Sequence, residues 1–169
     1  LVYKAPEKVT ALPAQAPKSK FKAFVLADIT TGTSTPKSYG LDVKHALAPL
    51  EGQRENELEL LLKGKFKELA IVAEKYREVE NVLSTISVPG EAHEIHLELV
   101  NAFQKLADLS YTMARANENP IEALTAGQKF EKTGAGLEKT FQDINAYFTK
   151  SGTTFETKDK INFTLYVSQ

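Results

Sequence analysis

The longest apolar stripe in this chain lies between residues 58 and 86 and constrains the fold more than any other feature. Its members recur at steps of three and four, which is the spacing of one face of an α-helix. They are Leu58, Leu61, Leu62, Phe66, Leu69, Val72, Tyr76, Val79, Leu83 and Ile86. Gly64 is the one weak helix former among them, and Val88-Pro89-Gly90 ends the pattern. The sequence therefore predicts one long amphipathic helix that buries this face against other helices.

Two further stripes with the same spacing follow. The first comprises Ala92, Ile95, Leu99, Ala102, Leu106, Leu109 and Met113, and the second comprises Ile121, Leu124, Phe130, Leu137, Phe141, Ile144 and Phe148. Ser151-Gly152 is a typical helix ending. Three glycines lie within the last stripe, Gly127, Gly134 and Gly136, and make this helix the least regular of the three. We interpret Gly134 and Gly136 as sites of close helix packing or of a kink.

A shorter helix precedes these three. Thr35 is a favourable N-cap, and Pro36 follows it at the first helical position, where a missing N–H costs nothing. This helix is expected from about Pro36 to Ala48. Short connections favour antiparallel packing of sequential helices. The predicted fold is mainly α, an antiparallel helical bundle of three long helices plus one short helix.

Both ends of the chain lack the helical pattern. Residues 1–20 contain Pro6, Pro13 and Pro17 and are expected to form an extended linker. Residues 21–29 are apolar and short, which suits an extended segment against the core. Near the end, Ile161, Phe163, Leu165 and Val167 alternate with polar residues, as in a half-buried strand. We therefore divide the chain into a linker at 1–20, a bundle domain at 21–152 and an extended segment at 153–169.

Composition excludes several classes of function. The chain has 21 basic and 22 acidic residues, without a basic cluster, which disfavours nucleic-acid binding. No apolar run approaches the roughly 18 residues that cross a bilayer. The chain has no cysteine, so disulfides and thiolate sites are excluded. Neither a Gly-x-Ser-x-Gly elbow nor a phosphate-binding loop is present, and the sequence predicts no enzyme and no cofactor.

A cluster of acids and histidines at the start of the second long helix is the strongest candidate for site chemistry. His93 and His96 lie three residues apart, among Glu91, Glu94 and Glu98. Two imidazoles at this spacing can share a face and bind a divalent metal, but the zinc-protease motif requires histidines four apart. We expect these residues to lie on the solvent-facing first turns and assign no metal site. His93, His96 and Glu94 are retained as the candidate ligands of an alternative function.

The order of several short segments resembles a loose group of uncharacterised exported or membrane-anchored helical proteins of candidate-phylum bacteria. The segments are Ala27-Asp28-Ile29, Ser38-Tyr39-Gly40, Val88-Pro89 followed by residues 96–101, residues 119–124, and Ile144-Asn145-Ala146-Tyr147-Phe148. This resemblance covers roughly residues 24–155 and carries no known activity. It implies export, with a signal or anchor upstream of Leu1 as the only membrane contact and the linker as a stalk.

These observations together predict a non-enzymatic structural or protein-interaction module at the cell surface, for example a subunit of an extracellular assembly. The expected partner is a protein, with further copies of this chain included. Extended apolar arms are the expected contact residues. They are Phe21, Phe24, Val25 and Leu26 in one arm, and Ile161, Phe163, Leu165 and Val167 in the other. The alternative is a small-ligand or metal-binding helical bundle.

Overall fold

The computed structural model describes residues 22–52 and 55–156, and within these ranges it is a bundle of α-helices without a β-strand. The helices are α1 (Pro36–Leu47), α2 (Glu57–Leu62), α3 (Phe66–Leu83), α4 (His93–Ala114) and α5 (Pro120–Lys150). The predicted mainly α fold is confirmed. The linker at 1–20, Phe21 and the alternating segment at 161–167 lie outside the described residues. None of the described helices combines the length and apolar composition needed to cross a membrane.

The helix predicted across residues 58–86 is in fact two helices, and that prediction is wrong at Gly64. Gly64 has a φ of +68°, a left-handed conformation that glycine adopts without strain. Its N–H donates to Leu61 O, and the N–H of Lys65 donates to Leu60 O at 2.9 Å, which closes the end of α2. The apolar stripe continues across the break because both helices bury one face in the same core.

The three long helices pack in sequence order, with α4 between α3 and α5. Arg77 of α3 contacts Asp108 of α4, whereas Leu83, later in α3, contacts His96, earlier in α4. These pairs run in opposite directions along the two helices, so the predicted antiparallel arrangement is confirmed for α3 and α4. The ring of Phe103 in α4 lies between those of Tyr76 in α3 and Phe141 in α5, with centroids 6.0 Å and 6.4 Å away.

The longest helix, α5, runs unbroken through all three of its glycines. A Cβ at Gly127 would lie 3.1 Å from Leu58 Cδ2 and 3.6 Å from Leu61 Cδ2, so α5 packs closely against α2 there. A Cβ at Gly134 or Gly136 would meet no atom within 4 Å. The interpretation of these two glycines as sites of close packing is therefore wrong.

An N-terminal segment, residues 22–35, contacts α4 at Asn101 and His93 and leads into α1; we call it the strap. The side-chain amide of Asn101 bonds both backbone groups of Phe24, at 2.8 Å and 3.1 Å. Further along, Val88 N donates to Thr30 O and Gly32 N donates to Val88 O, as a single parallel β-bridge. Ile29, which lies between Phe24 and Thr30 in the strap, is buried. The expected extended segment against the core is present, interrupted by one 3₁₀ turn at Leu26–Asp28.

Candidate functional site

The two histidines of α4 point to different neighbours despite their helical spacing. His93 is half-buried, and its Nε2 lies 3.2 Å from Ile29 O in the strap. His96 is fully buried, with Nε2 2.9 Å from Leu83 O and Nδ1 3.1 Å from the hydroxyl of Tyr39 in α1. We call His96, His93, Tyr39, Leu83 and Ile29 the His96 cluster. It joins the strap, α1, α3 and α4 at one end of the bundle.

The expectation that this histidine pair faces solvent is wrong for His96. Glu91, Glu94 and Glu98 are exposed as expected. His96, however, lies three residues before Leu99 and seven before Phe103, on the inward face of α4, and both of those side chains are completely buried. The spacing of three and seven residues from His96 to Leu99 and Phe103 was the sequence signal that indicated its burial. It was missed because a polar residue was not counted as part of an apolar stripe.

The partners of His96 fix its protonation state. A carbonyl oxygen only accepts hydrogen bonds, so Nε2 carries the proton and donates to Leu83 O, which also accepts from Ile86 N. Nδ1 of the neutral ring is then an acceptor, and the hydroxyl of Tyr39 donates to it. His96 thus supplies a donor to the last carbonyl of α3, where helices leave unpaired oxygens.

Burial controls the acid–base behaviour of this cluster. The pKa of His96 is lowered to about 4, mainly by desolvation and in smaller part by the neighbouring His93, although the bond to Leu83 O acts in the opposite direction. Burial also raises the pKa of the Tyr39 hydroxyl, as does the nearby Tyr147. Both groups are therefore neutral at pH 7, and the cluster is uncharged at its buried centre.

Metal binding by this histidine pair would require a rearrangement. Both ring nitrogens of His96 already bond protein groups, so a metal ion there would displace either Leu83 O or the hydroxyl of Tyr39. Within residues 22–52 and 55–156, no group of three or more histidines and carboxylates has the geometry to hold a metal ion. Glu94, the third candidate ligand, is exposed. Metal binding stays a prediction.

A second polar cluster, which the sequence did not suggest, lies between α3 and α4. The guanidinium of Arg77 bridges Glu80 and Asp108, each at 2.5 Å, and Gln104 also approaches Glu80. Burial raises the pKa of Glu80, although the bond and charge of Arg77 oppose that rise. The arrangement satisfies charges that the helix interface encloses, and its chemistry is that of a structural network.

A third polar contact joins α2 to α3. The hydroxyl of Tyr76 donates to the carboxylate of Glu57, which is almost completely buried. Burial, assisted by that carboxylate, raises the pKa of Tyr76 well above its usual value. Ser110 differs from these groups, because its buried hydroxyl oxygen has no hydrogen-bond partner in the part of the chain that the structure describes.

The sequence-predicted contact residues have mixed positions. Phe24 is half-buried and its backbone is bonded to Asn101, whereas the side chains of Val25 and Leu26 are 44% and 42% exposed. Phe21 and all four members of the second arm lie outside the described residues: Ile161, Phe163, Leu165 and Val167. The first arm therefore contacts its own bundle through the backbone and side chain of Phe24, and it presents the side chains of Val25 and Leu26 outward.

Three residues counted on the predicted buried stripes are exposed instead, and those assignments are wrong. They are Leu62 at 82%, Ile121 at 78% and Leu124 at 59%. Leu62 is the last residue of α2, and the other two lie in the first turns of α5. Periodicity includes them because it follows the helix to its ends, whereas the neighbouring helices do not cover those ends.

No protein-family model, curated protein or solved structure matches this chain.

Proposed function

We propose that this chain is a non-enzymatic protein-interaction module that associates with further copies of itself. The observation that carries the proposal is the exposure of Leu62, Ile121 and Leu124, which we call the end patch. Exposed apolar side chains that form a contiguous patch are typical of interaction surfaces. Burying one leucine side chain contributes about 1.5–3 kcal/mol, so even a few buried at a contact favour association.

The members of the end patch lie near the contact between α2 and α5. Leu61 is in contact range of Gly127, and Leu62 follows Leu61 in the chain. Leu124 lies one helical turn before Gly127, and Ile121 one turn before Leu124. Leu62 and Leu124 thus each lie within one helical turn of a residue at this contact.

Charge favours a second copy as the partner. The net charge is -1, so two copies repel each other weakly. Ion pairs lie close in sequence to the end patch, with Lys63–Glu59 at the end of α2 and Arg115–Glu118 between α4 and α5. A surface that presents both signs can match its own counterpart across a twofold axis.

Light scattering behind a sizing column tests the proposal over a range of protein concentrations. The wild-type chain is expected to form oligomers whose population rises with concentration. A double variant, Leu62→Asn with Leu124→Asn, is expected to be monomeric over that range. The matched control is Ile71→Asn, because Ile71 on α3 is 59% exposed, like Leu124.

A monomeric wild type at every concentration would contradict self-association. Oligomers that persist in the double variant but disappear in Val25→Asn with Leu26→Asn would show that the copies associate through the strap and not through the end patch, as the sequence suggested. Loss of oligomers in the Ile71→Asn control as well would show that the effect is not specific to the end patch.

We further propose that the module acts at the cell surface, with residues 1–20 as a spacer. Support comes from the three prolines of that segment and from the resemblance to exported helical proteins. Protease treatment of intact source cells, followed by immunodetection, tests this location. Degradation of the protein in intact cells is expected, and protection until the cells are lysed would contradict it.

A further inference from the structure

Several elements depend on one buried imidazole. His96 is fully buried and bonds Leu83 at the end of α3 and Tyr39 of α1. The ring of Tyr39 also lies edge-on to that of His96, with centroids 5.6 Å apart. One turn earlier, His93 donates to Ile29 of the strap. The first turn of α4 therefore holds both the strap and α1 through histidines.

A proton added to His96 would disturb this arrangement at one defined atom. Nε2 is already protonated, so the additional proton must go to Nδ1, which accepts from Tyr39. Protonated Nδ1 has no lone pair, and the Tyr39 hydroxyl would have to turn its own proton elsewhere. Tyr39 is completely buried. The result is an enclosed positive charge beside an unpaired hydroxyl proton, and both are unfavourable in a protein interior.

The surrounding charges do not favour an imidazolium at this position. The titratable neighbours are Tyr39 from α1, Tyr147 from α5 beside it, and His93 from α4, which disfavours a positive charge on His96. Glu91, in the connection before α4, acts on Tyr147. His96 also lies in the first turn of α4, where the helix dipole disfavours cations.

We propose that protonation of His96 is an acid-sensitive switch that detaches the strap and α1 from the bundle while α3, α4 and α5 stay packed. The interface of the long helices has its own core, in which Phe103 packs against Phe141 and Tyr76. None of these rings belongs to α1 or the strap. Return to neutral pH removes the proton from Nδ1 and restores the bond from the Tyr39 hydroxyl to His96. This switch is independent of the proposed self-association.

The size of the effect follows from linkage between protonation and opening. With the pKa of His96 at about 4 when buried and 6.5 when released, opening is favoured roughly 30-fold more at pH 5.0 than at pH 7.5. Most exposed carboxylates are still ionised at pH 5.0, so this window isolates the histidine.

Native-state hydrogen exchange on the full chain tests the switch at pH 7.5 and pH 5.0, in a series of low urea concentrations. Rates are divided by the intrinsic rate at each pH. Amides of the strap and α1 are expected to lose protection roughly 30-fold at pH 5.0, with little dependence on urea, because their opening is local. Amides of α4 around Phe103 are expected to keep higher protection and a strong urea dependence. Equal protection and equal urea dependence in both regions would overturn the proposal.

Three variants identify the group that titrates. In His96→Gln, which cannot take up a proton in this range, the loss of protection on acidification is expected to disappear. It is expected to persist in His93→Gln and in His45→Gln, the latter removing an exposed histidine of α1. A loss that persists in His96→Gln, or that disappears in His93→Gln, would overturn the assignment to His96.

An NMR titration of the histidines in the wild-type chain also tests the switch, and it does not require any variant to fold. One of the three imidazoles is expected to stay neutral until well below pH 5.5, and its signal change is expected to coincide with changes in the amides of α1 and the strap. Three imidazoles that all titrate between pH 6 and 7 would overturn the proposal.

Discussion

At the scale of single residues, the side chain of Asn101 bonds the backbone of the strap in the way a neighbouring β-strand would. The amide of Asn101 accepts from Phe24 N and donates to Phe24 O, so it satisfies both backbone groups of an extended residue. An asparagine side chain has the same donor and acceptor as a peptide unit, which is why it can do this. Its position on a half-buried part of α4 partly shields these bonds from water.

Replacing Asn101 by Ala is expected to destabilise the fold by about 1–2 kcal/mol, because two backbone groups of Phe24 lose their partners. Urea unfolding followed by circular dichroism measures this change. Asn145→Ala, at an exposed position of α5, is the control and is expected to change the stability by less than about 0.5 kcal/mol. Equal stabilities of the two variants would contradict the assigned role of Asn101.

At the scale of elements, two glycines within predicted helices have opposite roles. Gly64 separates α2 from α3 with a left-handed backbone, whereas Gly136 lies inside the continuous α5 on its exposed face. Local sequence does not distinguish them, since each interrupts an apolar stripe of similar spacing. The difference lies in the tertiary packing, which requires α2 to turn away before α3 begins.

The same substitution at these two glycines is expected to change stability in opposite directions. Gly64→Ala should destabilise the fold by about 1 kcal/mol or more, because alanine is strained at positive φ. Gly136→Ala should stabilise it by about 0.5–1 kcal/mol, because alanine is the better helix former and a Cβ there meets open space. Thermal unfolding of both variants and the wild type measures whether each substitution raises or lowers the stability. Stabilisation by Gly64→Ala would show that the turn after α2 is not required.

At the scale of the whole molecule, overall stability should depend on pH mainly through buried ionisable groups. The pKa of His96 is about 4 in the fold and 6.5 when released, so its contribution is full above pH 6.5 and is lost as the pH falls towards 4. Glu80 acts with the opposite sign. Burial raises its pKa above 4.5, so its contribution is full below pH 4.5 and is lost as the pH rises through the higher folded value.

Between pH 7.5 and pH 5.0 the free energy of global unfolding is expected to fall by roughly 2 kcal/mol, because released His96 binds a proton more readily than buried His96. Urea unfolding at both pH values measures the difference, and His96→Gln should reduce it to a small residual. A stability that rises on acidification in this window would mean that carboxylates such as Glu80 outweigh the histidine.

The sequence by itself determined the mainly α class and the order of the apolar stripes along the chain, but not the break at Gly64 that separates α2 from α3. The N-cap at Thr35 is present, with its hydroxyl accepting from Ser38 N, and α4 and α5 occupy the predicted stripes. These features are local, since capping and helical periodicity depend on residues within a few positions of one another. Only the tertiary structure decided that His96 is buried and that Leu62, Ile121 and Leu124 are exposed. A stripe indicates which face of a helix is apolar, but burial depends on where the neighbouring helices end and on which distant groups can bond a polar side chain.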